Sequence, residues 1–110
     1  MMKLAMSAAA AGLLRALLGR VGVDRNRILL SNFQSTDWNS LTFAGERHEI
    51  SLRIPGPGAA GVAALLIDGL DDADFAIPGQ IVADIALARP PIDQADGGIT
   101  LEIEALTVAE

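Results

Sequence analysis

Cysteine is absent from this chain of 110 residues. Its absence excludes disulfides, thiolate metal sites and cysteine nucleophiles, and it favours a cytoplasmic location. Aromatic side chains are scarce too, with three Phe, one Trp and no Tyr. The core must therefore be built from aliphatic residues. With a single histidine and no cysteine, the chain also lacks the usual zinc ligands.

Basic side chains are few, with 8 Lys and Arg against 14 Asp and Glu, which gives a net charge of −6. An acidic protein repels phosphate backbones, so nucleic acid is not expected as a partner. About half of the residues are hydrophobic, which is typical of a folded chain. The length predicts one domain over residues 1–110 with a core of its own.

The N-terminal segment, residues 1–22, is apolar and interrupted by Arg15. Its early lysine and small residues are also features of a secretory signal peptide. A bilayer span needs about 20 apolar residues without such an interruption. Leucine and valine recur at helical spacing, at Leu14, Leu17, Leu18 and Val21, with Leu13 beside them. We therefore predict an amphipathic helix that docks on the core, and no membrane insertion; a signal peptide is the alternative.

Two β-hairpins are predicted, each preceded by a helix. Residues 27–55 form the first, which begins with either a long strand bulged near residues 36–39 or two short strands. Its turn is predicted at residues 44–47, where Gly45 supplies a positive φ. Residues 57–70 form the second helix and residues 79–108 the second hairpin, in which residues 89–98 are a long turn. Four residues of its first strand should share one face: Ile81, Ala83, Ile85 and Leu87.

The predicted order is thus α-β-β-α-β-β, an α+β two-layer sandwich in which a four-stranded antiparallel sheet carries two helices on one face. The two αββ halves resemble each other in composition. A tandem duplication is left open at this point, because helices rich in Ala, Leu and Gly often match by composition alone.

The glycines of residues 56–61, Gly-Pro-Gly-Ala-Ala-Gly, match the spacing of dinucleotide-binding turns. The strand before them alternates polar and apolar residues, whereas a dinucleotide-binding strand is buried on both faces. Pro57 also removes an N–H group that such a turn offers to phosphate. We interpret the glycines as a strand end and helix start, and expect no cofactor.

His48 is the one titratable imidazole, and it suggests an enzymatic alternative. A small hydrolase or lyase would use His48 as general base with Asp37 or Glu46, directed towards Ser40, in a pocket closed by Trp38. No nucleophile signature such as G-x-S-x-G supports this. The simpler expectation is a histidine at the rim of the sheet satisfied by one hydrogen bond.

The open face of the sheet carries alternating charges. We expect Glu102 and Glu104 to pair with Arg47 and Arg53 rather than to bind a metal ion with Asp84. A strip of Arg facing a strip of Glu suits a symmetric contact between two copies. The first hypothesis is therefore a non-enzymatic homodimeric binding or assembly module whose contact residues are Trp38, Arg47, Arg53, Glu102 and Glu104. A carrier of a small apolar ligand is a further alternative.

Overall fold

The computed structural model describes residues 6–22 and 24–110. Two α-helices, α1 (Ala8–Gly19) and α2 (Ala59–Ile67), accompany five antiparallel strands: β1 (Leu29–Asn39), β2 (Ala44–Ile54), β3 (Gln80–Leu87), β4 (Ile92–Asp93) and β5 (Ile99–Ala109). The sheet order is β1-β2-β5-β3, and β4 pairs with the start of β5. The predicted α+β class is confirmed. The count of four strands is inexact because β4 forms inside the segment predicted to be a turn.

Helix α1 begins where Ser7 caps it, since the Ser7 hydroxyl accepts the backbone N–H of Ala10 at 3.1 Å. The predicted helix over residues 1–22 is shorter here, and residues 1–5 lie outside the described residues. The buried stripe is Ala10, Leu13, Leu17 and Val21, while Leu14 and Leu18 are only partly buried. The helix therefore docks as predicted, through a face rotated slightly from the expected one.

The same stripe returns in the second half of the chain. Helix α2 and the turn after it bury Ala59, Val62, Leu66 and Leu70, each 49 positions after its counterpart in the first stripe. Both stripes join one hydrophobic cluster with the inward side chains of β2 and β5. The central strands β2 and β5 are the last strand of each half, and the edge strands β1 and β3 are the first. This arrangement supports the tandem repeat that composition left open.

The turn of the first hairpin lies four residues before the predicted one. Residues 40–43 connect β1 to β2, and the Ser40 hydroxyl accepts the backbone N–H of Phe43 at 3.0 Å. Gly45 lies inside β2 and has no positive φ. Its role is close approach, because a Cβ at this position would lie 2.0 Å from the Thr107 carbonyl oxygen. The prediction of a turn at residues 44–47 is therefore wrong.

Two bulges change which side chains face the core. In β1 the register shifts between Leu30 and Asn32, not near residues 36–39 as predicted. In β3 it shifts between Val82 and Asp84, so that Val82 packs on the core and Ile81 is 51% exposed. The predicted common face of Ile81 and Ala83 with Ile85 is therefore wrong, because an inserted residue reverses the alternation.

In the described part of the chain, strand β1 is paired on one side only, and its side chains are exposed on both faces except for the half-buried Phe33 and Trp38. Buried side chains of β2 and β5, by contrast, alternate from His48 to Ile54 and from Ile99 to Thr107. The helices cover the central strands and leave β1 bordering a groove. Among the described residues, no helix is long and apolar enough to cross a membrane.

Candidate functional site

A chain of three side chains crosses the sheet from β1 to β5. The register between β1 and β2 places Ser35 opposite His48. Ser35 Oγ lies 2.8 Å from His48 Nδ1, and Thr107 Oγ1 lies 2.8 Å from His48 Nε2. His48 and Thr107 are fully buried, whereas Ser35 is exposed. His48 is therefore not at the rim with one hydrogen bond, as predicted, but in the core with both ring nitrogens satisfied.

The protonation state of His48 follows from this burial. Removal from water lowers the pKa of His48 from its ordinary value of 6.5, and the nearby Glu46 carboxylate offsets part of that shift. The imidazole is therefore neutral at pH 7. When Nε2 carries the proton and donates to Thr107 Oγ1, Nδ1 is free to accept the hydroxyl proton of Ser35. The Phe33 ring lies edge-on to the imidazole, 5.8 Å between centroids.

Ser35 opens into a groove between the N-terminal part of α1 and β1. The groove has a volume of about 680 Å³. Its apolar lining comes from Met6, Ala10, Leu30 and Phe33, and its polar lining from Ser7, Ser31, Asn32, Ser35 and Glu46. The Ser7 hydroxyl donates to Glu46 Oε1 at 2.6 Å, which fixes that carboxylate at the groove wall. The groove lies between α1 and the edge strand β1, beside the aliphatic core that packs between the helices and the central strands.

The predicted enzymatic residues are not brought together. Asp37 lies opposite Glu46, and Ser35 rather than Asp37 is the side chain that reaches His48. Ser40 caps the hairpin turn. Trp38 lies opposite Gly45, on the face of the sheet away from the helices. Only Glu46 and His48 of the predicted set belong to the groove and its histidine.

The open face holds the predicted charged residues in a different pairing. Arg53 pairs with Asp96, and Arg89 Nε lies 3.6 Å from Glu102 Oε2. The Gly98 backbone N–H and the Arg53 guanidinium lower the pKa of the Asp96 carboxyl. Two like charges, Glu49 and Glu104, stand opposite each other across β2 and β5.

Arg47 lies between Thr36 and Leu106 on this face, opposite neither of the predicted glutamates. Within residues 6–22 and 24–110, no group of three His, Asp or Glu side chains is arranged to hold a metal ion. The open face thus has fewer free charges than the sequence suggested, because neighbours within the chain already pair with some of them.

The glycines of residues 56–61 join β2 to α2. A Cβ at Gly56 would lie 2.9 Å from the Gly97 carbonyl oxygen, and Gly58 caps α2 with a φ of +82°. The Arg27 guanidinium donates to the Pro57 carbonyl at 3.1 Å. The strand before the glycines is antiparallel to both of its neighbours. The predicted strand end and helix start is confirmed.

We expect acid to destabilise the protein partly through His48. The pKa of His48 is lower in the folded protein than in the unfolded chain, so below pH 6.5 the unfolded chain binds more protons than the folded protein. The contribution of His48 to the free energy of unfolding is therefore complete above pH 6.5. It is lost as the pH falls through the folded-state pKa. Urea unfolding between about pH 5 and pH 8 measures this dependence.

A His48→Gln variant separates this effect from that of the carboxylates. The Gln amide keeps hydrogen-bonding groups between Ser35 and Thr107 but does not titrate. We expect its free energy of unfolding to vary less than the wild type's between pH 5 and 7. Parallel pH profiles for the two proteins would contradict a lowered pKa for His48.

Sequence reasoning missed Ser35 and Thr107, the two hydroxyls on either side of His48. Ser35 could have been found from the register of the first hairpin, because a turn predicted at residues 40–43 places Ser35 opposite His48. Thr107 comes from a strand 59 residues further along the chain, and no local pattern indicates it.

Comparisons with protein-family models, curated proteins and solved structures give no match to this chain.

Proposed function

We propose that this protein is an assembly module that forms a homodimer by antiparallel pairing of β1 with β1 of a second copy. The observation that carries the proposal is the outer edge of β1, which pairs with no strand among the residues that the structure describes. This strand is eleven residues long, contains no Pro, Lys or Arg, and has one charged side chain, Asp37. Long edge strands with free backbone N–H and C=O groups template pairing with another strand, and monomers usually block them.

The opposite edge of the same sheet provides the contrast. Strand β3 has eight residues, a bulge at Ala83 and the charged Asp84 beside it. A bulge with a charge beside it keeps an edge strand from pairing. Strand β1 also has a bulge, after Leu30, but residues 32–39 beyond it keep an uninterrupted register and include one charge, Asp37. This longer regular stretch supports β1 as the edge that pairs.

A twofold axis at Gln34 suits the side chains of β1. The register with β2 places Leu29, Asn32, Gln34, Thr36 and Trp38 in successive rows on one face. The bulge after Leu30 shifts the register by one residue, so Leu29 and Trp38 are both four rows from Gln34. Pairing about Gln34 would therefore put Leu29, which is 47% exposed, opposite the partner's Trp38. It would put Asn32 opposite the partner's Thr36. No like charges would face each other. The strand is thus complementary to its own copy, as an isologous interface requires.

A homodimer formed through the charged open face of the sheet, as the sequence suggested, has less support than pairing of β1. That contact needs free Arg and Glu strips, but Arg53 and Glu102 already have partners within the chain. Each copy also carries a net charge of −6, which favours contact where charges are sparse. The edge of β1 is such a place.

The test is a pair of double variants with equal changes of charge. Gln34→Lys with Thr36→Lys places lysines on the exposed face of β1, close to the proposed twofold axis. Like charges across paired strands are destabilising, so we expect the dimer dissociation constant to rise about tenfold or more. Ile81→Lys with Ala83→Lys, on exposed positions of β3, is the control and should leave the constant unchanged. Sedimentation equilibrium measures both.

Amide hydrogen exchange supplies a second measurement. If β1 pairs with its copy, its amides exchange more slowly at high protein concentration than at low concentration. A wild-type chain that stays monomeric at about 0.5 mM would overturn the homodimer. The edge of β1 would then be expected to pair with a strand of another protein. Equal dissociation of both lysine variants would assign the effect to net charge and overturn the β1 interface.

A further inference from the structure

We propose that Ser35 is a nucleophile, activated by His48, that attacks neutral carboxylic esters bound in the groove between α1 and β1. The enzymatic alternative drawn from the sequence thus returns with a different hydroxyl. Ser35 Oγ is exposed and lies within hydrogen-bonding distance of His48 Nδ1. A nucleophile beside a base, with the base held by a third group, is the arrangement that covalent catalysis requires.

Thr107 is the positioning residue. Its Oγ1 lies 2.8 Å from His48 Nε2 and accepts the Nε2 proton in the tautomer that the proposed reaction uses. In that tautomer Nδ1 faces Ser35 as an acceptor, and the contact with Thr107 is kept when the ring becomes protonated. Because His48 and Thr107 are both fully buried, the ring cannot turn away from Ser35 without losing both partners.

The surroundings of His48 suit a base that works near neutral pH. Burial lowers the pKa of the ring, so it is unprotonated and able to accept a proton. The Glu46 carboxylate favours the charged form, and would stabilise the imidazolium that forms during attack. Glu46 is itself fixed by the hydrogen bond from Ser7.

The groove defines the substrate class. Met6, Leu30 and Phe33 provide apolar contacts next to Ser35, which suits the hydrocarbon part of a small ester. The net charge of −6 disfavours anionic substrates. A volume of about 680 Å³ lies within the usual range for small-molecule sites. Neutral esters with a short apolar acyl or alcohol group fit these conditions.

The reaction balances with water as the only co-reactant. Ser35 Oγ forms a bond to the ester carbonyl carbon and its proton passes to His48 Nδ1. The bond from that carbon to the alcohol oxygen then breaks, and the departing oxygen takes the proton from Nδ1. Water attacks the acyl-Ser35 in the same way, giving its proton to Nδ1, and Ser35 Oγ recovers that proton as the acid leaves.

A fluorophosphonate tests the nucleophile directly, because it phosphonylates activated serines and releases fluoride. We expect the intact protein to gain one label, which peptide mass spectrometry locates on Ser35. Ser35→Ala should abolish labelling. Ser51→Ala removes a hydroxyl of β2 on the opposite face of the sheet, outside the groove, and is the matched control, which should label at the wild-type rate. Labelling spread over several serines, or absent from Ser35, overturns the proposal.

Two further variants test the roles of the base and of Thr107. His48→Gln should slow labelling about 100-fold, the usual contribution of a general base. Wild-type labelling should be independent of pH above 6.5 and slower below it, as the ring becomes protonated. Thr107→Val should slow labelling and Thr107→Ser should restore it, whereas a merely structural threonine would change stability and leave the rate of the folded protein unaltered.

Labelling does not depend on association. The groove lies on the helix side of β1, whereas the proposed dimer uses its outer backbone edge. The Gln34→Lys, Thr36→Lys variant should therefore label at Ser35 even when it is monomeric. A wild-type chain that stays monomeric and labels at Ser35 overturns the homodimer alone, whereas a wild-type dimer that does not label overturns the nucleophile alone.

Discussion

Gly45→Ala is expected to lower the free energy of unfolding by about 3 kcal/mol, at the upper end of the usual cost of overpacking. The added Cβ would lie 2.0 Å from the Thr107 carbonyl oxygen and 3.1 Å from Val108 Cα. Both are backbone atoms of the central strand β5, so relief requires β2 and β5 to separate. The same movement would disturb the hydrogen bond between His48 and Thr107.

Gly61→Ala is the matched control. Gly61 lies within α2 and a Cβ there has no neighbouring atom within 4 Å. Alanine has a higher helix propensity than glycine and reduces the entropy of the unfolded chain, so this variant should be more stable than wild type by about 0.5–1 kcal/mol. Urea unfolding of both variants measures the difference. Equal stabilities for Gly45→Ala and wild type would show that the strands can separate without cost.

Gly45 also explains how far the sequence predicted the first hairpin. A glycine after a run of β-formers usually indicates a turn, and the turn was placed there. The backbone that requires this glycine belongs to β5, some 60 residues further on. A close approach between two strands that are far apart in the chain produces no pattern in the residues next to the glycine. Because the turn was predicted four residues too late, the predicted register did not place Ser35 opposite His48.

The central strands were predictable for the opposite reason. One face of β2 and of β5 is buried against the helices, so polar and apolar residues must alternate along them, and they do from His48 to Ile54 and from Ile99 to Thr107. The edge strands carry weaker constraints. Strand β1 is exposed on both faces and β3 contains a bulge, so their facing residues could not be predicted from alternation.

Leu17→Ala and Leu66→Ala are each expected to cost about 3 kcal/mol of unfolding free energy, the usual range for a buried leucine being about 2–5. The two leucines occupy equivalent positions of the two halves, and both are 0% exposed within the same hydrophobic cluster. Truncation removes apolar contacts and leaves a cavity that the sheet cannot fill. Leu65→Ala, on the exposed side of α2 where Leu65 is 51% exposed, is the control and should cost less than about 1 kcal/mol.

Equal costs at residues 17 and 66 would mean that the two halves contribute alike to one cooperative core. This is the expected result, because their buried stripes have the same spacing and meet the paired central strands β2 and β5. If Leu17→Ala cost no more than Leu65→Ala, α1 would not be part of the folding unit. The groove that α1 forms with β1, and the ester site proposed in it, would then lose the wall that Met6 and Ala10 supply.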